Sequence, residues 1–353
     1  MSAAPRPPPS RLQIAGVIAF YMFSALVMVF VNKAVLNSTP DLPISFLFFQ
    51  LAIAVVLVHF FASVSSTPLR RVLPGRMSVP CLEWSIARKL LSFVIVGVSG
   101  LLFNTLCLAN VDASSFQIAR GLSLPMTILV SAIFTRTPPR KLVVLSALVV
   151  TAGFFVGVTP SSRVSRIAGG GALGESTVAV AFGTLSSITL ALHAVLMKSA
   201  YADVGSENAT VKLMYYGNLM SAAVLLPFVV LGGEYQSLRA LWAAGGEPLR
   251  VFVAGTSVTG VFGFMLGIAS MLSIKVTSPV THMFSSAARS VLQTILGMYF
   301  FHDILTVQRG SSILVITLGA LLYTWVQSLQ KPAPKSCPSE KGYHPASEKH
   351  VRV

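Results

Sequence analysis

The sequence predicts an all-α polytopic membrane protein: ten transmembrane helices arranged as two inverted five-helix repeats. Three observations predict it. Of 353 residues, 54% are hydrophobic and only 10% charged, where a soluble domain carries about a quarter charged. The apolar residues gather into ten runs, most of them close to the ~20 residues that a helix needs to cross a bilayer core. Ten is also twice five, and an odd-numbered unit duplicated in tandem must insert its second copy upside down. Secondary transporters commonly follow that plan, with the substrate site near the midplane at the repeat interface.

The elements follow in order. Residues 1–11, "MSAAPRPPPSR", are proline-rich and read as a cytosolic tail. The first run, 12–31, continues past signal-peptide length, so a retained span is expected rather than a cleaved leader. Further runs lie at 44–64 and 90–108, and the fourth, 116–134, contains Arg120 and Pro125. A proline there removes a backbone hydrogen bond and is expected to bend the helix near Arg120. The fifth run, 142–158, is the shortest and carries Gly153 and Gly157 in a small-xxx-small pattern that lets helices approach closely. The linker "RIAGGGALGE" follows, where a junction between repeats of about 12–165 and 173–329 would fall. The second half holds runs at 178–196, 213–231, 252–272 (with Gly263 and Gly267), 280–301 and 310–329. Together, 12–329 form the transport domain, and the polar tail 330–353 is expected to be disordered in the cytosol.

Charge supplies an orientation. With the N-terminus in the cytosol, eighteen basic residues fall in cytosolic tails and loops, against six (Lys33, Arg163, Arg166, Arg239, Arg250 and Arg309) on the lumenal side. The positive-inside rule therefore places both termini in the cytosol. The net charge of +15 is mostly this asymmetry, spread over many loops, so nucleic acid is not an expected partner. Of two glycosylation sequons, the one at Asn37 would be lumenal and the one at Asn208 cytosolic.

Several chemistries are excluded on motif grounds. Cys81, Cys107 and Cys337 have neither disulfide nor metal spacing. His59, His193 and His282 sit singly in separate runs and read as polar packing. No HExxH or Walker loop occurs. The expectation is a non-enzyme without cofactor or metal.

What remains is two arginines. Arg289 lies ten residues after Pro279, roughly 15 Å into its run, and Arg120 lies eight after Asp112, roughly 12 Å in. The ten runs contain these two arginines and no aspartate or glutamate. A charge at that depth costs at least ~2.5–3.5 kcal/mol, and such residues normally face a water-filled cavity or a partner. Each arginine could instead snorkel or bind backbone carbonyls. The sharper reading supplies the partner as a mobile anion, since the planar guanidinium fork suits phosphate and stays charged throughout a transport cycle. Proton- or sodium-coupled carriers usually hold their ion with intramembrane acids, and cation channels use acidic rings or carbonyl filters; neither pattern is present. A passive exchanger of organic phosphates fits best.

Three stretches carry a resemblance: "MVFVNKAVL" from Met28, "FNTLCLANVDASSFQIARGLS" from Phe103 and "SIKVTSPVTHMFSSAARSVLQT" from Ser273, with "YTWV" at Tyr323 closing the last run. On these the chain resembles the nucleotide-sugar transporters of the drug/metabolite transporter superfamily, most closely the GDP-fucose carriers, over nearly its whole membrane part. The resemblance implies ten spans, residence in the Golgi membrane (the endoplasmic reticulum as alternative), and import of GDP-fucose in exchange for GMP. GDP-mannose is the second candidate cargo, and a homodimer is left open.

The related GDP-mannose carriers read the base with an FYNN motif, which corresponds here to "YYGN", so Tyr215, Tyr216 and Asn218 are candidate base contacts while Gly217 has lost an amide. Their phosphate motif corresponds to "SSAAR", which makes Ser285, Ser286 and Arg289 candidate ribose and phosphate contacts, with Ala288 in place of an asparagine. Arg120, Asn104 and Gln117 complete the candidate set. Two rival readings stay open at this point. One keeps the fold and carries triose phosphate or phosphoenolpyruvate; the other is a non-transporting membrane chaperone with structural arginines.

Overall fold

The computed structural model describes residues 11–65, 80–110, 116, 118, 120–158, 172–205, 209–276, 279–300 and 306–329; at 172–180, 271–276 and 279–287 only the backbone is described. Both tails, the 166–171 part of the glycine linker and Gln117 lie outside these residues. The described chain is α-helical, with no strand among its elements. The helices are α1 (Arg11–Ser38), α2 (Pro43–Ser65), α3 (Trp84–Asn110), α4 (Ser123–Thr135), α5 (Lys141–Val158) and α6 (Ala172–Asp203). They continue as α7 (Ala209–Leu231), α8 (Glu234–Ala244), α9 (Gly246–Val276), α10 (Pro279–Phe300) and α11 (Val307–Ser328). Seven of them, α1, α2, α3, α6, α7, α9 and α11, are long and apolar enough to cross a membrane; α4 with its preceding turn and α5 are shorter apolar helices. The protein is a polytopic helical membrane protein.

Three local features depart from the sequence reading. The fourth run is not one continuous helix: a 3₁₀ turn at Arg120–Leu122 precedes α4. Pro125 then falls in the first turn of α4, where its missing N–H costs nothing. The second departure is α8, an added short helix with Trp242 and Tyr235 exposed, flanked by Gly233 at φ 79° and Gly245 at φ 63°. Both glycines occupy the left-handed region that side-chain-bearing residues avoid, so they set the chain reversals on either side. Third, Lys33 is not a loop charge. It lies within α1, buried, and its Nζ donates to the carbonyls of Leu108 (3.0 Å) and Ala109 (3.3 Å) at the end of α3. A cation at a helix C-terminus satisfies carbonyls that the helix leaves open.

α1 runs along α9 and also touches α10; α3 runs along α6 and also touches α7. α2 packs on α7 and α9, α4 on α6, α5 on α11, and α10 on α11. The α5–α11 crossing depends on missing side chains. A Cβ on Gly153 would lie 3.0 Å from the Ile316 backbone nitrogen, and one on Gly157 would collide with Ser312. Ser312 Oγ donates to the Gly153 carbonyl at 2.6 Å, so backbone approach and hydrogen bond occur together. On α9 the expected Gly263 and Gly267 meet only flexible methionine tips, of Met28 and Met214; Gly255, against Val35, and Gly260, against Ile53, are the tight positions.

The largest buried cluster joins α2, α3 and α7, with Val58, Leu90, Val94, Tyr216 and Leu225 at its centre. A second joins α1, α2, α3 and α9 through Val35, Phe46, Leu108 and Phe252. Large apolar side chains on the outer faces, such as Leu148, Phe155 and Leu314, stay exposed as lipid-facing residues should. Near the second cluster, the buried carboxylate of Glu234 accepts from the backbone N–H of Ile44 (2.9 Å) and Ser45 (2.5 Å), capping α2 from another helix. Hydrogen bonds to charged groups contribute about 1.5–3 kcal/mol. Glu234→Ala is expected to lower the thermal midpoint in detergent by a few degrees, and Glu234→Gln by less; an unchanged midpoint would show that this cap contributes nothing.

Candidate functional site

A cavity of about 340 Å³ lies among α2, α3, α6, α7 and α9, with Arg120 projecting into it. Along α3 it runs from Phe93 to Asn104, eleven residues or roughly 16 Å of helix. The antiparallel α3–α6 pair fixes its levels, because Gly97 lies against His193 and Gly100 against Thr189. Continuing that register brings Asn104 level with Ser186, at the deep end. One turn further on, Cys107 and Leu108 belong to the second apolar cluster, together with Phe116.

The deep end is cationic. Arg120 starts the 3₁₀ turn, its carbonyl accepts from Ser123 Oγ at 2.6 Å, and its guanidinium carbon lies 5.5 Å from the centroid of the Phe116 ring. That cation–π contact offsets part of the burial cost. Among the described residues, the charged and polar groups acting on Arg120 are Arg289, Tyr21 and Cys107. Cys107 in turn lies within electrostatic reach of both Arg120 and Lys33. Ser123 Oγ meets Ser187 Oγ at 3.4 Å, next to the cavity-lining Ser186. Hydroxyls and a planar cation around one end of a cavity suit a multiply charged oxyanion.

The sequence candidates divide accordingly. Arg120, Asn104 and Asn218 line the cavity together. Arg289, on α10, is not among the described lining residues but sits close enough for its charge to act on Arg120. Tyr215 and Tyr216 face away, because consecutive helix positions diverge by about 100° and the cavity takes Gly217 and Asn218. Tyr216 is buried, its hydroxyl donating to the Cys81 carbonyl and accepting from the Glu83 N–H, both at 2.7 Å. Tyr215 is buried with its hydroxyl 3.3 Å from His59 Nε2. Neither is an aromatic anchor at an interface; both hold α7 to its neighbours. Gln117 and the side chains of Ser285 and Ser286 lie outside the described residues.

Sequence reasoning missed Ser186, Ser221, His193 and Tyr201, all of which line the cavity. Single serines and histidines in apolar helices look like packing, and no spacing rule links residues on different helices.

Fold and cavity define the class: a polytopic helical membrane protein with a central pocket whose deep end is positively charged. The chain belongs to the Triose-phosphate Transporter family, whose profile matches residues 12–324. It is therefore a member of a transporter family. It is 28% identical over 335 residues to mouse GDP-fucose transporter 1, covering 94% of this chain and 87% of that one. An uncharacterised transporter of Schizosaccharomyces pombe is 32% identical over 318 residues, covering 90% and 76%. The Drosophila melanogaster protein named "GDP-fucose transporter, Golgi" is 28% identical over 328 residues, covering 90% and 91%.

Proposed function

We propose that this protein is an antiporter that imports a nucleotide sugar, first of all GDP-fucose, into the Golgi lumen in exchange for GMP. The observation that carries the reading is the guanidinium of Arg120 in the wall of a long cavity, with a second arginine acting on it. Two arginines close enough for one charge to act on the other suit a diphosphate that arrives and leaves. A nucleotide sugar carries about two negative charges, as does a nucleoside monophosphate near neutral pH, so the exchange moves little net charge. The names of the mouse and fruit-fly relatives support guanosine diphosphate-fucose as the cargo and the Golgi as the membrane.

In this proposal the bundle has ten spans, α8 lying outside the count, and both termini are cytosolic. The helix pairings support an inverted duplication. Numbering the ten spans in order and adding five to each turns the α1–α9 pair into the α6–α3 pair, and maps the α5–α11 and α2–α7 pairs onto themselves. Arg120 and Arg289 then occupy equivalent spans of the two halves, and in both spans an Ala-Arg is followed a few residues on by Thr-Ile-Leu. Asn218 and Arg120 touch the cargo directly, Asn104 lies at the phosphate end, and Tyr215 and Tyr216 act by positioning α7.

Purified protein in liposomes preloaded with GMP is expected to take up labelled GDP-fucose, and empty liposomes to take up little. Equal uptake by both would rule out exchange. Arg289→Ala is expected to stop uptake while the protein still folds and elutes as a single species.

The family name favours one rival, a phosphorylated three-carbon cargo. The length of the cavity beyond Arg120 argues for a larger one. Competition by GDP-, UDP- and CMP-sugars and by triose phosphate against one labelled substrate separates the two readings.

A further inference from the structure

We propose that His193 reads the nucleobase, supplying the polar contact that Gly217 cannot make. The inference rests on the nucleotide-carrier reading above and deepens it.

His193 projects from α6 into the cavity wall. Its ring stacks on Phe93 of α3, with centroids 4.3 Å apart and planes inclined by 23°. A Cβ on Gly97 would stand 2.9 Å from its Cδ2 and 3.0 Å from its Nε2. The imidazole therefore sits in a slot, with an aromatic face on one side and bare backbone at its edge, and Gly97 has no side chain that would close it. Among the described residues neither ring nitrogen finds a hydrogen-bond partner.

Phe93 ties this slot to α7. Its Cε1 is the atom nearest the position a Gly217 Cβ would take, 3.8 Å away. His193 and Gly217 thus flank one ring, and Asn218, the next residue on α7, also lines the cavity. That layer lies seven residues along α6 from Ser186, roughly 10 Å from the cationic end. With the diphosphate at Arg120, a nucleoside reaching along the cavity brings its base to this level. Asn218 offers one amide there, and a neutral imidazole adds one donor and one acceptor. A site built to hydrogen-bond a particular base edge rejects bases that lack it, because its own polar groups are then left unpaired.

The test measures nucleotide-induced thermal stabilisation, and inhibition of GDP-fucose uptake, with GMP, AMP, UMP and CMP as probes. Wild type is expected to prefer GMP. His193→Phe keeps the stack on Phe93 and removes both nitrogens. It is expected to lose at least tenfold of the GMP-over-UMP preference while the unliganded melting temperature holds. Adding Gly217→Asn to that variant is expected to restore part of the preference, since a Cβ at 217 meets only the Phe93 ring at ordinary contact distance. His193→Gln, which retains an amide, is expected to reorder the preferences among bases and keeps the question answerable if the phenylalanine variant does not fold. An unchanged GMP-over-UMP ratio in either variant would overturn the assignment of His193. A wild type stabilised by no nucleotide at all would instead overturn the carrier reading beneath it.

Discussion

Arg120→Met is expected to abolish nucleotide-sugar uptake while leaving the unliganded protein at least as heat-stable as wild type. The two effects have separate physical origins. A bidentate guanidinium–phosphate contact makes two charge-assisted hydrogen bonds, each contributing about 1.5–3 kcal/mol. Losing both weakens binding on the order of 10²- to 10⁴-fold. Without ligand, by contrast, Arg120 is a partly buried charge repelled by Arg289, so a neutral chain of similar length removes an unfavourable interaction. Arg120→Lys keeps the charge but not the planar fork and is expected to fall between. Uptake into liposomes and melting with and without GMP check both halves. A variant that melts early and still transports would show Arg120 to be a structural residue.

Gly157→Leu is expected to prevent recovery of folded protein, because Ser312 of α11 and Ile118 already occupy the space a side chain would need at this level. The added Cβ alone would meet the Ser312 side chain and lie 2.7 Å from Ile118 Cγ2. Ser312 cannot swing aside without giving up its 2.6 Å bond to the Gly153 carbonyl. Overpacking of this kind costs about 1–3 kcal/mol or more in a packed core, and close small-residue contact is a main source of helix association in lipid. The milder Gly157→Ala is expected to lower the melting temperature, and Ser312→Gly in that background to recover part of it. Gly217→Ala serves as the control and is expected to change stability little, since its Cβ would meet only the Phe93 ring at 3.8 Å. Size-exclusion profiles and thermal midpoints of the four proteins decide the matter. A monodisperse Gly157→Leu protein with a wild-type midpoint would show that the crossing opens at no cost.

That the chain is built of membrane-spanning helices was legible in the residues because lipid imposes one rule on every span. A segment inside the bilayer must satisfy its own backbone and present apolar side chains, which leaves long hydrophobic runs that can be counted. Helix α8 escaped that count because it need not cross the membrane and is too polar to register as a span. Lys33 escaped for a related reason: a charge near the end of an apolar run reads as a loop residue unless the carbonyls of Leu108 and Ala109 are seen waiting for it. The "YYGN" stretch spans two faces of α7, since adjacent residues on a helix point in different directions. Asn218 and Gly217 went to the cavity, while Tyr215 and Tyr216 went to the core.

The sequence by itself determined that this chain lives in a membrane, and that its ten apolar runs hold two arginines and no aspartate or glutamate. Those are properties of composition and of distance along a single helix. Only the tertiary structure decided that Arg120 opens on a cavity while Arg289 acts on it from α10, and that Asn104, Ser186, His193 and Asn218 share its wall. These residues come from separate helices far apart in the chain, and periodicity within one helix carries no information about which faces of its neighbours it will meet.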